Sequence, residues 1–242
     1  MENELDARQR ETLLRAETSA EGYDRLYAEE AKTGYSAYDR PYWDSHYYPL
    51  YKKAYEEVRR LGGAQVLEVG CGNGSFAHLL FDQSTIDYHG FDFNAAAIRK
   101  AATMTNRPER FSVARAGEDA LQGRSYDTIV CLEVLEHIEQ DREVVKSWKP
   151  GCRCVCSVPN FDDPDHVRLF MDETEVQERY GDLIDIDSIQ RVPRALVLGR
   201  GWTEYFRALR WNRNNPKRFL GLLGYKTFEN VSGWLVFSGR RR

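Results

Sequence analysis

The stretch Val66-Leu67-Glu68-Val69-Gly70-Cys71-Gly72-Asn73-Gly74-Ser75-Phe76 decides the fold. Val66, Leu67 and Val69 make a short apolar run, as a strand covered on both faces requires. Gly70, Gly72 and Gly74 then alternate, so the backbone turns sharply with no side chain between it and a ligand. Ser75 to Phe81 reads as the first turns of a helix, whose free N–H groups and partial positive charge favour an anionic group. The glycine spacing is G-x-G-x-G, with Ser75 where a dinucleotide fingerprint, G-x-G-x-x-G, has its third glycine. Glu68, two places before the first glycine, would repel a pyrophosphate and accept hydrogen bonds from an ammonium. The expected ligand therefore carries a cationic amino-acid end, and a nicotinamide dinucleotide is disfavoured.

This strand, acid and glycine loop resemble motif I of the class I S-adenosylmethionine (SAM)-dependent methyltransferases. The resemblance implies a Rossmann-like domain that binds SAM and transfers its methyl group. It places cofactor contacts at Glu68, Gly70, Gly72 and Asn73 in and beside the loop.

The rest of the chain fits that frame. Strands are expected near 66–69, 88–92, 111–114, 127–132, 152–158, 184–192 and 233–238, with helices near 52–60, 75–82, 95–104, 139–147, 172–180 and 202–209. Strand–helix alternation implies an α/β fold with a doubly wound, seven-stranded, mostly parallel sheet. The last apolar run, Trp234-Leu235-Val236-Phe237, follows a strand with no usual helical crossover, so it is expected to enter antiparallel. Residues 1–60 are expected to form an N-terminal helical arm and lid, and 61–242 the SAM-binding domain, with 193–232 as a substrate-side cap. Nine of the 14 tyrosines fall between Tyr23 and Tyr55, beside Trp43 and His46. Such a segment could close as a dry aromatic wall that attracts a sulfonium, or simply cover apolar surface.

Two further stretches carry chemistry. Tyr88-His89-Gly90-Phe91-Asp92-Phe93-Asn94 is a strand end in which Asn94 suits a helix N-cap. That leaves Asp92, 22 residues after Gly70, to accept from ribose hydroxyls, with Phe93 beside it. In the resembling family the turn at Gly117-Glu118-Asp119 supports the adenine, so Gly117 and Glu118 join the cofactor set.

Tyr126 to Ile138 contains a strand that ends at Leu132, a further cofactor contact, followed by Glu133-x-x-Glu136-His137. Two carboxylates and an imidazole within one turn suit a divalent ion such as Mg²⁺. His137, with Glu136, is alternatively the acid–base pair. His166, after the fifth strand, is a candidate fourth ligand. The set Glu133, Glu136, His137 and His166 resembles two branches, the ubiquinone-biosynthesis-type O-methyltransferases and the small-RNA 2′-O-methyltransferases.

Composition bounds the remainder. The chain has 242 residues and a net charge of −4. Between Arg191 and Arg242 twelve Lys/Arg stand against two Glu, which is +10 there and therefore −14 over the rest. That basic stretch is either a solvated face or a track for RNA. No run of about 18 apolar residues is present, so no membrane span is expected. The first residues lack the features of a signal peptide. Five cysteines, an odd number, argue against a disulfide framework and for a reducing cytoplasm. Cys152, Cys154 and Cys156 alternate, so one strand face should carry all three as small buried groups. The reading is a cytoplasmic methyltransferase acting on oxygen of a small hydroxylated or phenolic molecule, with room for a homodimer. The alternatives are an RNA 2′-O-methyltransferase and a catalytically silent SAM-binding protein.

Overall fold

Leu67 and Val69 of the first strand face one hydrophobic layer and Val66 faces the other, so the run is apolar on both sides. The computed structural model describes residues 15–25, 40–193 and 233–242. Its elements in chain order are α1 (Tyr48–Leu61), β1 (Gln65–Val69), α2 (Ser75–Gln83), β2 (Asp87–Asp92), α3 (Ala95–Thr105), β3 (Phe111–Val113), the short α4 (Glu118–Leu121), β4 (Thr128–Leu132), α5 (Asp141–Ser147), β5 (Arg153–Pro159), α6 (Glu173–Tyr180), β6 (Ile184–Pro193) and β7 (Gly233–Arg241).

The seven strands stand in the order β3-β2-β1-β4-β5-β7-β6. Strands β1 to β5 pair in parallel. Strand β7 enters antiparallel between β5 and β6, with Cys156 opposite Phe237 and Ile189 opposite the same Phe237 on the other side. The doubly wound sheet and its antiparallel last strand are thus as the sequence implies. Strand order reverses between β1 and β4, where folds of this kind open a crevice at the C-terminal strand ends.

One layer packs Leu67, Phe91, Ile129, Cys131 and Trp148 with all three alternating cysteines. Tyr180 of α6 stacks on Phe237 of β7 in that layer, ring centroids 5.4 Å apart. The other layer packs Val66, Tyr88, Val130, Val155 and Val236 under α1 and α2. All five cysteines are buried and unpaired.

Helix α1 starts four residues before the expected Lys52. Pro49 explains this, because a proline in the first helical turn lacks only an N–H that has no intrahelical partner anyway. Leu50, Ala54 and Val58 fall on one helix face and enter the second layer, so 48–61 covers the sheet rather than standing apart as an arm. Gly62, at φ 73°, ends it. The expected helix at 202–209 and nearly all of the 193–232 cap lie outside the described residues, as do 1–14 and 26–39 of the arm.

Candidate active site

The glycine loop is tied down at both ends. The N–H groups of Gly70 and Cys71 both donate to the carbonyl of Phe91, at 2.8 and 3.0 Å. Gly70 has φ 70°, and a Cβ there would lie 2.4 Å from a Val134 methyl, so only glycine lets the loop pass. Gly72 donates its N–H to Oδ2 of Asp92 at 3.0 Å, while Oδ1 of Asp92 accepts from the Asn94 N–H at 2.8 Å. Asp92 therefore joins the loop of β1 to the loop of β2. Burial pushes its carboxyl above the usual range, partly offset by N–H donors from Asn94 and Gly72. Asn94 caps α3 by accepting from Ala97 N–H at 2.9 Å, the role its position suggests. Asn73 is buried, and its side-chain oxygen accepts from the Ser75 backbone and hydroxyl.

Glu68 lies beneath this loop, 3% exposed. Its carboxyl accepts a hydrogen bond from the Tyr88 hydroxyl. Among the described residues no Lys or Arg pairs with it. Burial, reinforced by nearby Asp92, raises its pKa to about 8. A buried acid without a protein cation fits an ammonium brought by a ligand.

These groups open into one cavity of about 1640 Å³. Glu68, Gly70, Gly72, Asn73, Asp92, Phe93, Gly117 and Leu132 all line it. The far wall carries Glu133, His137 and His166. Ligand cavities commonly measure about 300–1,000 Å³, so this one has room for a nucleoside and a second molecule. The side chain of Glu118 lies outside the described positions.

The far wall separates the four candidate ligands. Glu136, His137 and His166 present donor atoms all within 4.8 Å of one another. Glu133 stands outside that trio. Its backbone is left-handed, at φ 57°, which turns its carboxylate toward β5 and β7. There Oε1 accepts from the Ser157 hydroxyl at 2.9 Å and Oε2 from the Trp234 indole at 2.5 Å.

Glu136 is fully buried, and neither of its oxygens has a hydrogen-bond partner. Burial, then the charges of Glu133 and Asp165, push its carboxyl well above the usual range. The Nδ1 of His137 lies 3.0 Å from the Asp165 carbonyl. A carbonyl only accepts, so Nδ1 carries a proton and the neutral ring keeps its lone pair on Nε2, 3.7 Å from Glu136 Oε1. His166 sits edge-on to His137, centroids 4.9 Å apart, and its Nδ1 has no hydrogen-bond partner. Burial and the neighbouring His137 lower its pKa to about 4.

A segment before the sheet crosses this opening. Residues 20–25 are helical. Tyr23 sets its ring against Phe93 and His137, centroids 5.6 and 6.0 Å away. Asp24 accepts from the Asn94 side chain at 2.8 Å, Glu17 from the Glu139 N–H at 2.7 Å, and Arg15 reaches Asp162 at 2.8 Å. Residues 15–25 of the segment expected as arm and lid are thus held against the cavity by polar ties. Sequence reasoning singled out none of Arg15, Glu17 or Asp24, because isolated charges in a charged segment carry no period. Arg115, also missed, lies over the Phe93 ring at 5.3 Å.

Comparison with known proteins gives a consistent picture. Residues 67–153 match a family described as a methyltransferase domain. The ubiquinone biosynthesis O-methyltransferase of Xylella fastidiosa is 30% identical over 158 residues, covering 57% of this chain and 63% of that protein. The chain spans 44% and 63% of the length of the first two such relatives. A phosphoethanolamine N-methyltransferase 2 of Haemonchus contortus, in complex with phosphomonomethylethanolamine and S-adenosylhomocysteine (SAH), superposes with TM-score 0.53 at 15% identity, over 78% of this chain and 52% of that one. A chain from the complex of the Haloferax volcanii Trm112 methyltransferase activator with a putative methyltransferase gives TM-score 0.53 at 17% identity, over 83% and 95% of the two chains. Both structural likenesses speak to the fold alone.

Proposed function

We propose that this chain, which carries a class I SAM-dependent methyltransferase domain, moves the methyl group to an oxygen of a small hydroxylated or phenolic molecule. The observation that carries the reading is one cavity lined both by Glu68, the glycine loop and Asp92 and by His137 and His166. Of these, Glu68 takes the ammonium, the Gly70–Gly74 loop takes the carboxylate end, and Asp92 takes the ribose. Bound SAM supplies an electrophilic methyl on a sulfonium sulfur, which ends as a neutral thioether. The Nε2 lone pair of His137 takes the proton of the acceptor hydroxyl as its oxygen bonds to the methyl carbon. Asp165 holds the tautomer that leaves Nε2 free to do so. Phe93 and Tyr23 keep water from the alignment on which such a transfer depends.

As an alternative to that base role, the trio fits a divalent cation, which would take the same Nε2 lone pair of His137. Glu136, His137 and His166 would hold it, since the Glu136 oxygens and His166 Nδ1 are buried without partners and His166 stays neutral. Such an ion would lower the pKa of the acceptor hydroxyl. The oxygen preference follows the names of the relatives. The RNA alternative depends chiefly on 194–232, outside the described residues. No described helix is long and apolar enough to cross a membrane, and five unpaired cysteines favour the reducing cytoplasm.

The test is a screen with methyl-labelled SAM against phenols, small alcohols, amines and short RNA, with and without EDTA. Label on an oxygen of a small acceptor is the expected result. Label on RNA or on amines alone overturns the acceptor proposal, and turnover unaffected by EDTA removes the cation.

A further inference from the structure

The Glu136–His137–His166 trio is assembled from two loops that strand pairing does not hold together. The β4–β5 ladder ends at Leu132 opposite Ser157. Glu136 and His137 come from a 3₁₀ turn, Leu135–His137, three residues beyond that end. His166 comes from the loop after β5, nine residues beyond it. Something else must fix one loop on the other to a fraction of an ångström, as a reacting constellation requires.

We infer that Arg168 is the positioning residue of this trio, its guanidinium clamping the His166 loop onto the turn that carries Glu136 and His137. Nη1 of Arg168 donates to the carbonyls of Leu135 at 2.8 Å and Ile138 at 2.5 Å, and Nη2 donates to the carbonyl of Glu139 at 3.0 Å. These three carbonyls bracket Glu136 and His137 on both sides. The planar fork of a guanidinium reaches all three at once, which a point-like ammonium cannot do. Two further contacts complete the clamp: Val167 N–H donates to the Glu136 carbonyl at 2.8 Å, and the His137 side-chain Nδ1 meets the Asp165 carbonyl.

The clamp has its own anchor. Asp141, fully buried at the start of α5, lies 3.2 Å from Arg168 Nη1. Asp141 also accepts from the Tyr180 hydroxyl at 2.6 Å and from Nη2 and Nε of Arg179 at 2.5 and 3.0 Å. Arg168 is therefore held from α6 through one carboxylate, while Arg168 itself is not among the cavity-lining residues. It acts on the trio through geometry, and its charge also bears on Glu136, an effect that Arg168→Lys keeps. Because Asp141 keeps Arg179 and Tyr180, loss of Arg168 does not leave that buried charge alone.

The clamp serves the methyl transfer proposed above, so its link to turnover rests on that reading, but its geometry is testable without turnover. The experiment compares full-length wild type with Arg168→Ala and Arg168→Lys by histidine-ring NMR without ligand, SAH calorimetry and kinetics with the acceptor from the screen. In Arg168→Ala the His137 and His166 ring signals should shift or broaden while those of His89, on β2, stay fixed. SAH affinity should stay within about twofold while kcat falls by about 10- to 100-fold, the scale of a displaced catalytic group. Arg168→Lys, which keeps the charge and loses the fork, should behave as the alanine variant does, and it carries the test if Arg168→Ala fails to fold. Unmoved His137 and His166 signals overturn the clamp, as does an equal loss of SAH affinity and kcat. If wild type turns nothing over, shifted ring signals still support the clamp and the proposed reaction alone fails.

Discussion

Glu68→Gln should weaken cofactor binding by a factor that grows with pH. Gln keeps the shape of the protonated acid and an oxygen for the Tyr88 hydroxyl, so the fold should tolerate it. With a pKa of about 8, Glu68 is about 10% ionised in the free protein at pH 7. An ammonium ligand needs the ionised form, so binding there costs about 1.4 kcal/mol at pH 7 and about 2.7 kcal/mol at pH 6. Above pH 8 the cost all but vanishes. A hydrogen bond to a charged group contributes about 1.5–3 kcal/mol. The net contribution of Glu68 is therefore close to zero at pH 6 and about 1.3–2.8 kcal/mol at pH 8.5. In Kd for SAH, the variant should match wild type within about twofold at pH 6 and fall about 10- to 100-fold short at pH 8.5. Calorimetry at pH 7 in two buffers of different ionisation enthalpy should show wild type releasing close to one proton on binding and the variant none. Without ligand the sign reverses. A folded pKa above the unfolded value loses stability as pH rises from about 4.5 to about 8, so the variant should gain relative stability over that window. A Kd ratio independent of pH, with no proton release, would refute the reasoning.

Three more outcomes follow from the same contacts. Asp92→Ala removes the acceptor that joins Gly72 to Asn94, so SAH should bind about 10- to 100-fold more weakly, read as a lost thermal shift. Gly70→Ala forces a side chain into a left-handed backbone against Val134 and should lower stability by about 1–3 kcal/mol in urea melts. Val134→Ala in the same chain should recover part of that loss, and no recovery would mean that backbone strain dominates. For His166 the folded pKa of about 4 lies below the ordinary 6.5, so the unfolded chain takes up the proton first. Stability should fall as pH drops from about 6.5 to about 4, by up to about 3 kcal/mol, and His166→Ala should flatten that slope.

The Glu68-to-Asp92 side of the cavity was legible because its signals are local. Glycines at positive φ, an apolar run and a cap two residues after an acid each declare themselves within a few positions. The far wall was legible only in part. Glu133, Glu136 and His137 lie within five residues, and proximity in sequence suggests one shared site. The left-handed backbone at Glu133 separates them, and its partners Ser157 and Trp234 sit 24 and 101 residues away. No local rule names such partners. Arg168 is similar: its target is a set of carbonyls, which leave no trace in residue type. Strand β7 was expected antiparallel from its missing crossover, but its place between β5 and β6 depends on pairing that sequence pattern leaves open.

The central claim is that the crevice between β1 and β4 holds a sulfonium nucleoside with its ammonium on Glu68. A crystal structure of the chain with SAH tests it most directly. The account expects the amine within hydrogen-bonding distance of the Glu68 carboxylate, the ribose hydroxyls on Asp92 and the sulfur facing the His137 wall. SAH bound elsewhere, or in this crevice with its amine turned away from Glu68, would contradict it.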